Sequence, residues 1–306
     1  MPLFKNNNGD LEQIKETSFD LERKIQKITE DNLERIFNLQ FVRTEFQLGR
    51  FRIDTLAFDL ESSSFVIIEY KKDRDSGLFE QGLAYIEIML DRGADFITEY
   101  NESLDKNLKK RDIDWSQSKI IFVSPSFNKN QKQAANLDLH IELWQVHSYQ
   151  NDIVEYFPIQ TNDTKTPMNI LGSKGSTINK IAREIKTYDE EYHFQRHGSD
   201  KIKELYYEIK RRVVSLGDNI QPIFRKEYIA FKTSYNFVYL NLKRNMIHID
   251  LALKIDEVQD PKKILRNMDG IGHHSAGYSR ITVDDKSQIP YMIGLIEQSY
   301  AKSIKK

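Results

Sequence analysis

The stretch that most constrains the fold of this chain is Phe-Val-Ile-Ile-Glu-Tyr-Lys-Lys, which spans residues 65 to 72. Four consecutive apolar residues predict a buried strand, which would ordinarily stay apolar or end in a turn. This strand runs instead into a glutamate and two lysines. Side chains alternate between the two faces of a strand, so Glu69 and Lys71 project together on one face. The pattern therefore predicts a charged site at the end of a buried strand.

The Glu-x-Lys spacing by itself carries little information, because it occurs four times in the sequence. The other three copies begin at Glu22, Glu184 and Glu208. They lie in segments with a helical pattern, where Glu and Lys are ordinary surface residues. The copy at Glu69 is distinguished by the buried strand before it.

The preceding strand supplies a second carboxylate. If the two strands turn at Glu61 and Ser62, antiparallel pairing makes the numbers of facing residues add up to 123, which places Asp54 opposite Glu69. The Cβ atoms of facing residues lie about 5 Å apart, and two carboxylates at that distance repel each other unless a cation lies between them. An ordinary cross-strand salt bridge with Lys71 is the alternative interpretation of the same residues.

The ligand chemistry of this pair points to a hard cation. Carboxylate oxygens without His or Cys favour Mg²⁺ or Mn²⁺ over zinc. An ion held by Asp54 and Glu69 keeps several water molecules, and it neutralises the charge that grows on a phosphate under attack. Lys71 would orient or deprotonate the attacking water. We therefore expect Mg²⁺, or Mn²⁺ in its place, as the cofactor of a phosphodiester hydrolase that uses metal-activated water.

The order of predicted elements defines the fold class. A helix over residues 19 to 38, divided near Thr29, precedes three strands, a helix over residues 76 to 96, a strand, a helix and two strands. This order predicts an α/β core with a mixed sheet. Periodicity is lost between residues 160 and 177, so the predicted domains are residues 1–163 and 164–306.

The second domain has a different pattern. Helices over residues 176 to 188 and 199 to 216 precede alternating strands, a short helix over residues 261 to 267 and a closing helix from Gln288. This arrangement predicts a smaller α+β domain.

The composition narrows the function. A formal net charge of −1 gives no overall attraction to a polyanion, so any contact with nucleic acid must come from local basic patches. The absence of cysteine excludes disulfides, thiolate zinc sites and thiol nucleophiles. The sequence shows no signal-like start and no run near the ~20 apolar residues of a membrane span. We therefore expect a cytoplasmic protein without a membrane partner.

Three features together resemble one group of enzymes. Asp54, then Glu69-Tyr70-Lys71, then Gln81-x-x-x-Tyr85 on the next helix resemble the RecB-like and NucS-like branch of the PD-(D/E)XK nuclease superfamily, over about residues 25 to 160. The other half of the chain looks like an uncharacterised domain that is found joined to such nucleases. The resemblance implies a restriction-endonuclease-like core, in which helices flank a mixed sheet.

The resemblance also implies roles for individual residues. Asp54 and Glu69, with the backbone carbonyl of Tyr70, would bind the metal. Lys71 would be the catalytic lysine, and Gln81 would line the site.

Further residues around this site are expected to assist. The family often adds a glutamate from the first helix, for which we choose Glu34 over Glu30, since Glu30 can serve as a helix cap. Tyr85 lies one turn beyond Gln81 and would support it or touch the nucleic acid. Basic residues near the site would meet phosphates, namely Arg50, Arg52 and Lys72.

These residues predict a Mg²⁺-dependent endonuclease that hydrolyses phosphodiester bonds in DNA. The alternative is a nuclease fold without catalysis, which binds nucleic acid or regulates a partner. The residues do not distinguish DNA from RNA, and DNA is the expected substrate. A homodimer would supply the two sites that cutting both strands takes, although no residue requires one. We expect the second domain to recognise a substrate feature, a partner protein or a second copy of the chain.

Overall fold

The computed structural model describes residues 2–19, 21–71, 77–134, 140–159, 188–218, 220–233, 235–271, 275 and 277–304. The chain divides into two compact units, Met1–Lys186 and Thr187–Lys306. The predicted domain boundary between residues 163 and 164 lies outside the described residues, as does the predicted helix over 176 to 188 except for its last residue.

The N-terminal unit contains nine described strands and five described helices. The strands are β1 (Leu3–Asn7), β2 (Asp10–Ile14), β3 (Glu16–Thr17), β4 (Gln40–Leu48), β5 (Phe51–Asp59), β6 (Ser64–Tyr70), β7 (Lys119–Ser124), β8 (Ile141–Tyr149) and β9 (Ile153–Pro158). The helices are α1 (Glu22–Asp31), α2 (Leu33–Phe37), α3 (Leu78–Asp91), α4 (Gly93–Leu104) and α5 (Lys129–Ala134).

Seven of these strands form one mixed sheet. Its order is β3-β8-β7-β6-β5-β4, and β9 also pairs with β8. The strands β6, β7 and β8 run parallel, whereas β4, β5 and β6 form an antiparallel meander. The strands β1 and β2 form a separate hairpin, which the sequence did not predict. The predicted α/β core with a mixed sheet is confirmed.

The strand β6 is buried on both faces, and this explains its apolar run. Phe65 and Ile67 pack with α3 and α4 on one side of the sheet. Val66 and Ile68 pack with α1 and α2 on the other side. All seven residues of β6 are buried. Because β6 also has a hydrogen-bonded neighbour on each edge, a charged side chain at its end is enclosed on several sides.

The helices differ in detail from the sequence pattern. The first predicted helix is interrupted at Asn32, and so it divides into α1 and α2 as expected, three residues later than Thr29. The helix predicted over residues 76 to 96 is interrupted at Arg92. The following Gly93 lies so close to Trp115 that a Cβ atom there would stand 2.7 Å from the indole ring. Close packing of the start of α4 on this ring accounts for the break.

The C-terminal unit is an antiparallel sheet covered by helices. Its strands are β10 (Gln221–Phe224), β11 (Ile229–Lys232), β12 (Asn236–Leu242), β13 (Ile247–Leu251), β14 (Arg266–Asn267) and β15 (Ser279–Val283), in the order β10-β11-β12-β13-β15-β14. Its helices are α6 (Glu190–His197), α7 (Asp200–Val214) and α8 (Ile289–Ser303). The predicted α+β unit is confirmed.

One predicted element of this unit is wrong. The short helix expected over residues 261 to 267 is absent, and Arg266 and Asn267 pair with β15 instead. Lys263 has a left-handed φ of 52°, which a continuing α-helix does not allow. The carboxylate of Asp260 accepts the N–H of Leu265 at 2.9 Å and so stabilises a turn there. Among the helices that the structure describes, none has the length and apolar content to cross a membrane.

Candidate active site

The register of β5 and β6 brings Asp54 and Glu69 together. The observed pairs run from Thr55 opposite Ile68 to Asp59 opposite Ser64, which is the register predicted from the turn at Glu61 and Ser62. Asp54 and Glu69 are the next two residues in this register. At this pair, hydrogen bonds from the backbone to side chains replace the backbone hydrogen bonds between β5 and β6. The N–H of Asp54 donates to Glu69 Oε1 at 3.1 Å, and the N–H of Tyr70 donates to Asp54 Oδ2 at 3.1 Å. Each carboxylate is thus anchored on the backbone of the opposite strand.

A distortion in β4 accompanies this opening of the sheet. Glu45 faces Asp54 in the register of β4 and β5, between the pairs Thr44–Thr55 and Phe46–Ile53. Its φ of 50° lies in the left-handed region, which is uncommon for a residue other than glycine. Such strain is typical of functional sites, where the surrounding structure holds it in place.

Burial leaves the two carboxylates in need of positive charge. Glu69 is 1% exposed, and burial together with the neighbouring Asp54 charge raises its pKa to about 8. Burial also raises the pKa of Asp54, although the Tyr70 N–H and Lys71 oppose this rise. Both shifts have the same sign, so these surroundings disfavour the state in which the two carboxylates are ionised together, and a bound cation would favour it.

The donor set suits a hard divalent ion. Both donors are carboxylates, and within the described residues no group of three or more His, Cys, Asp or Glu side chains has metal-binding geometry. A site of two carboxylates fits Mg²⁺ or Mn²⁺, which keep several water ligands. It does not fit zinc, which usually takes at least three protein ligands.

Lys71 and Gln81 complete the site around Glu69. The ammonium of Lys71 lies 3.9 Å from Glu69 Oε2, and its backbone N–H is fixed by the carbonyl of Val123 at 3.0 Å. Gln81, on α3, donates from Nε2 to Glu69 Oε2 at 3.0 Å and to the Tyr85 hydroxyl at 3.1 Å. The Tyr85 hydroxyl donates in turn to the carbonyl of Arg52 at 2.9 Å. The Gln-x-x-x-Tyr spacing therefore forms a hydrogen-bonded chain that fixes the Glu69 carboxylate.

A second set of polar residues lies behind the site, and the sequence pattern did not predict the contributions of Gln26 and Thr55 to it. Gln26, on α1, donates from Nε2 to the carbonyl of Asp54 at 3.0 Å and to Glu30 Oε1 at 3.1 Å. Thr55 donates to the same Glu30 oxygen at 2.5 Å and contacts the Tyr70 hydroxyl at 3.2 Å. The i, i+4 spacing of Gln26 and Glu30 was the available signal, because it puts both on one helix face.

Glu34 does not join the described network. It lies on α2 with an exposed side chain. The glutamates whose charges act on Asp54 are Glu22, which begins α1, and Glu45. Glu34 was preferred because Glu30 can serve as a helix cap, but in the structure Glu30 accepts hydrogen bonds from Gln26 and Thr55. The role of Glu34 at the site stays a prediction that the described contacts do not support.

The residues expected to meet nucleic acid have different environments. Arg50 is exposed, with its guanidinium 5.1 Å from the Phe51 ring centre. Arg52 is also exposed, but it pairs with Glu45 at 2.8 Å. Tyr85 is only 4% exposed, which leaves it the supporting role and not the contact with nucleic acid. Lys72 lies outside the described residues. The Tyr70 carbonyl stands at the end of β6, and its role as a metal ligand stays a prediction.

Comparisons with known proteins concern both units. A family model described as a domain of unknown function (DUF5655) matches residues 190–303. An uncharacterised protein of Haemophilus influenzae is 39% identical over 300 residues, which cover 98% of this chain and 99% of that protein.

Two solved structures are also similar to part of the chain. The structure of an EndoMS–dsDNA complex is 20% identical over 38% of this chain and 42% of that one, with a TM-score of 0.27. A repair endonuclease from Pyrococcus abyssi is 16% identical over 42% of this chain and 48% of that one, also with a TM-score of 0.27. The chain thus spans less than half of either structure. Because both TM-scores are low, the function is inferred from the geometry of the site and not from these two structures.

Proposed function

This chain belongs to the same family as the Haemophilus influenzae protein along nearly its whole length, and we propose that its N-terminal unit is a metal-dependent nuclease that hydrolyses phosphodiester bonds in DNA. The observation that carries the proposal is the pairing of half-buried Asp54 on β5 with buried Glu69 on β6, each held on the other's backbone, with Lys71 beside Glu69. A structural salt bridge would not explain this arrangement, because two carboxylates face one ammonium.

Asp54 and Glu69 would hold the metal ion, and Mg²⁺ or Mn²⁺ fits their oxygen donors. When bound, such an ion supplies positive charge at the phosphate and makes a coordinated water more acidic. The raised pKa values of the two carboxyl groups support this assignment, since Lys71 supplies one positive charge for two carboxylates and does not offset the rise.

The other side chains would orient the reactants. Lys71, whose side chain is 19% exposed, would donate hydrogen bonds to the attacking water and to a phosphate oxygen. Gln81 donates to Glu69 and thereby keeps the carboxylate in one rotamer. Tyr85 holds Gln81 through its hydroxyl, which is itself fixed on the carbonyl of Arg52. Gln81 and Tyr85 are positioning residues in this scheme, and Lys71 is the catalytic one.

The test compares two lysines of the same sheet. Lys119 on β7 has the same 19% side-chain exposure as Lys71 and is also paired with a glutamate, Glu142, at 2.8 Å. We expect the purified full-length protein to nick or degrade labelled DNA with Mg²⁺ or Mn²⁺ and to stop when EDTA is added. Lys71→Ala should lower the cleavage rate at least about 100-fold, whereas Lys119→Ala should leave it nearly unchanged.

Two outcomes would contradict the proposal. Equal cleavage by both lysine variants would show that any nuclease activity does not come from this site. Tight binding of DNA without cleavage, together with no binding of Mn²⁺ in a calorimeter, would favour the module without catalysis.

A further inference from the structure

The charge of the chain is unevenly divided between its two units. Residues 187–306 contain 20 Lys and Arg against 16 Asp and Glu, a formal net charge of +4. Residues 1–186 contain 25 Lys and Arg against 30 Asp and Glu, a formal net charge of −5. The near-neutral total therefore conceals a basic unit of unknown function beside an acidic one. A polyanion would be attracted to the C-terminal unit and repelled by the other.

Part of this positive charge lies on one face of the C-terminal sheet. Side chains alternate along each strand, and the helices pack against the face that carries Leu240, Ile249 and Ile281. The opposite face, which we call the polar face, is defined by Asn241, His248, Asp250, Arg266, Arg280 and Thr282. The register places them in two rows across the strands, Asn241–His248–Thr282 and Asp250–Arg280–Arg266.

One cation of the polar face is fixed by a buried acid. Asp250 is 1% exposed and accepts from Arg280 Nε at 2.5 Å and from Nη2 at 2.8 Å. Ser275 donates to the same carboxylate at 2.5 Å. This geometry holds the guanidinium in one orientation while its remaining N–H groups point away from Asp250. Arg280 is therefore a preorganised donor with its charge balanced locally.

The other cations of this region lack such a balance. Arg266 is exposed on β14, directly opposite Arg280. Lys243 and Arg244 form the turn that follows β12, two and three residues beyond Asn241. Within the part of the chain that the structure describes, no carboxylate pairs with any of these three side chains. Asp250 balances the charge of Arg280, so Arg266 opposite it adds positive charge to this face.

The pKa of His248, the histidine of the polar face, reflects the same excess of positive charge. Burial lowers the pKa of His248, and the charges of Arg280, Lys243 and Arg266 lower it further, against the opposing effect of Asp250. Asp284, two residues beyond Thr282, is a further acid at the end of this strand. Lys243, Arg244 and Arg266 still outnumber it.

We propose that the polar face of the C-terminal sheet, with Lys243 and Arg244 at its edge, binds the phosphate backbone of nucleic acid. The charge surplus, the fixed donor Arg280, and the side chains of Lys243 and Arg266, which pair with no carboxylate of the described residues, support a polyanion as the occupant. Sequence readout is not part of the proposal, because phosphate contacts position a nucleic acid without reading its bases. The proposal does not require the N-terminal site to be catalytic.

The experiment measures binding while cleavage is switched off. Full-length protein in EDTA is titrated into fluorescently labelled duplex DNA over a range of salt concentrations. The slope of log K against log salt is negative, and each lost phosphate contact reduces its magnitude by about 0.9 on duplex DNA. The double variant Lys243→Ala/Arg266→Ala should therefore lose about 1.8 from this slope and bind more weakly at low salt.

A matched double variant controls for the loss of charge. Lys286 and Lys302 belong to the same unit and are paired with Glu204 and Glu257. The variant Lys286→Ala/Lys302→Ala should keep the salt slope of the parent. The variant Lys243→Arg/Arg266→Lys keeps both charges and should also keep the slope, which separates charge from folding defects.

Three results would overturn the proposal. The first is no binding of DNA by the parent at low salt. The second is an equal salt slope in the two alanine double variants. The third is competition by polyglutamate as strong, per charge, as by unlabelled DNA, since that would indicate an acidic protein as the partner. Because EDTA excludes cleavage, a failure here is independent of a failure of the nuclease assay.

Discussion

Acidification should destabilise the C-terminal unit through one buried histidine, His193 on α6. Its side chain is 2% exposed and lies between the rings of Tyr192 and Phe224, with centroid distances of 5.4 and 6.4 Å. Among the described residues its Nε2 has no hydrogen-bond partner. The pKa of His193 is lowered from 6.5 to about 4, mainly by burial and also by the Arg196 charge, although a hydrogen bond with the Arg225 backbone opposes the fall.

The sign and size of the effect follow from proton linkage. Between pH 6.5 and about 4 the unfolded chain binds a proton that the folded chain excludes. Above pH 6.5, His193 therefore causes no loss of stability. Below pH 6.5, the free energy of unfolding falls by about 1.4 kcal/mol for each pH unit. The total loss by the folded-state pKa amounts to roughly 3 kcal/mol, a large share of the stability of a small unit.

The assay exploits the positions of the two tryptophans. Trp115 and Trp144 both lie in the N-terminal unit, so tryptophan fluorescence reports the unfolding of that unit alone. Urea unfolding is followed by circular dichroism and by fluorescence between about pH 7 and about pH 4.5. The transition seen by circular dichroism but not by fluorescence belongs to the C-terminal unit, and its midpoint should fall with pH.

A variant and a neighbouring histidine provide the comparison. His193→Gln removes the titration and should flatten the pH dependence of that transition, whatever its effect on stability near pH 7. His197, four residues along the same helix, is only partly buried, so His197→Gln should retain most of the dependence. An unchanged dependence in His193→Gln would refute the reasoning.

The remaining predictions concern the candidate active site. Gln81→Leu removes a hydrogen bond to a charged carboxylate, which is worth about 1.5–3 kcal/mol. In activity assays, the Mn²⁺ concentration that gives half-maximal activity should rise about tenfold or more, and an unchanged concentration would contradict the role of Gln81. Thr55→Val leaves the Glu30 carboxylate without this donor and should lower the unfolding free energy of the N-terminal unit by roughly 1–3 kcal/mol, measured by tryptophan fluorescence. In a thermal-shift assay, Mn²⁺ at a concentration 100 times its Kd should stabilise the parent protein by about 2.7 kcal/mol and should not stabilise Asp54→Asn. Equal thermal shifts in the two proteins would show that the ion binds elsewhere.

The sequence predicted the geometry of the site well where a short-range rule applied. A turn at Glu61 and Ser62 sets the register of β5 and β6, and period-two alternation sets the face, so the meeting of Asp54 and Glu69 followed from two local facts. The Gln-x-x-x-Tyr spacing likewise placed Gln81 and Tyr85 on one helix face.

The sequence did not predict the features of the structure that depend on long-range packing. The support from Gln26 and Glu30 depends on how α1 lies on the sheet, which no local pattern encodes. In the C-terminal unit, residues 261 to 267 have helical composition, but pairing of Arg266 with β15 and the turn at Asp260 override it. Local propensity is a weak determinant when tertiary contacts compete with it.

The two proposals together explain why a nuclease of this kind would need a second unit. A site built from two carboxylates repels the phosphate that it has to hold, and the N-terminal unit as a whole carries a net charge of −5. The basic residues near that site offset this repulsion only in part, and the C-terminal unit carries the opposite net charge. If this division holds, Lys243→Ala/Arg266→Ala should raise KM for DNA without lowering kcat, because it removes binding that the ground and transition states share. A fall in kcat at unchanged KM would show instead that these residues act on the chemical step.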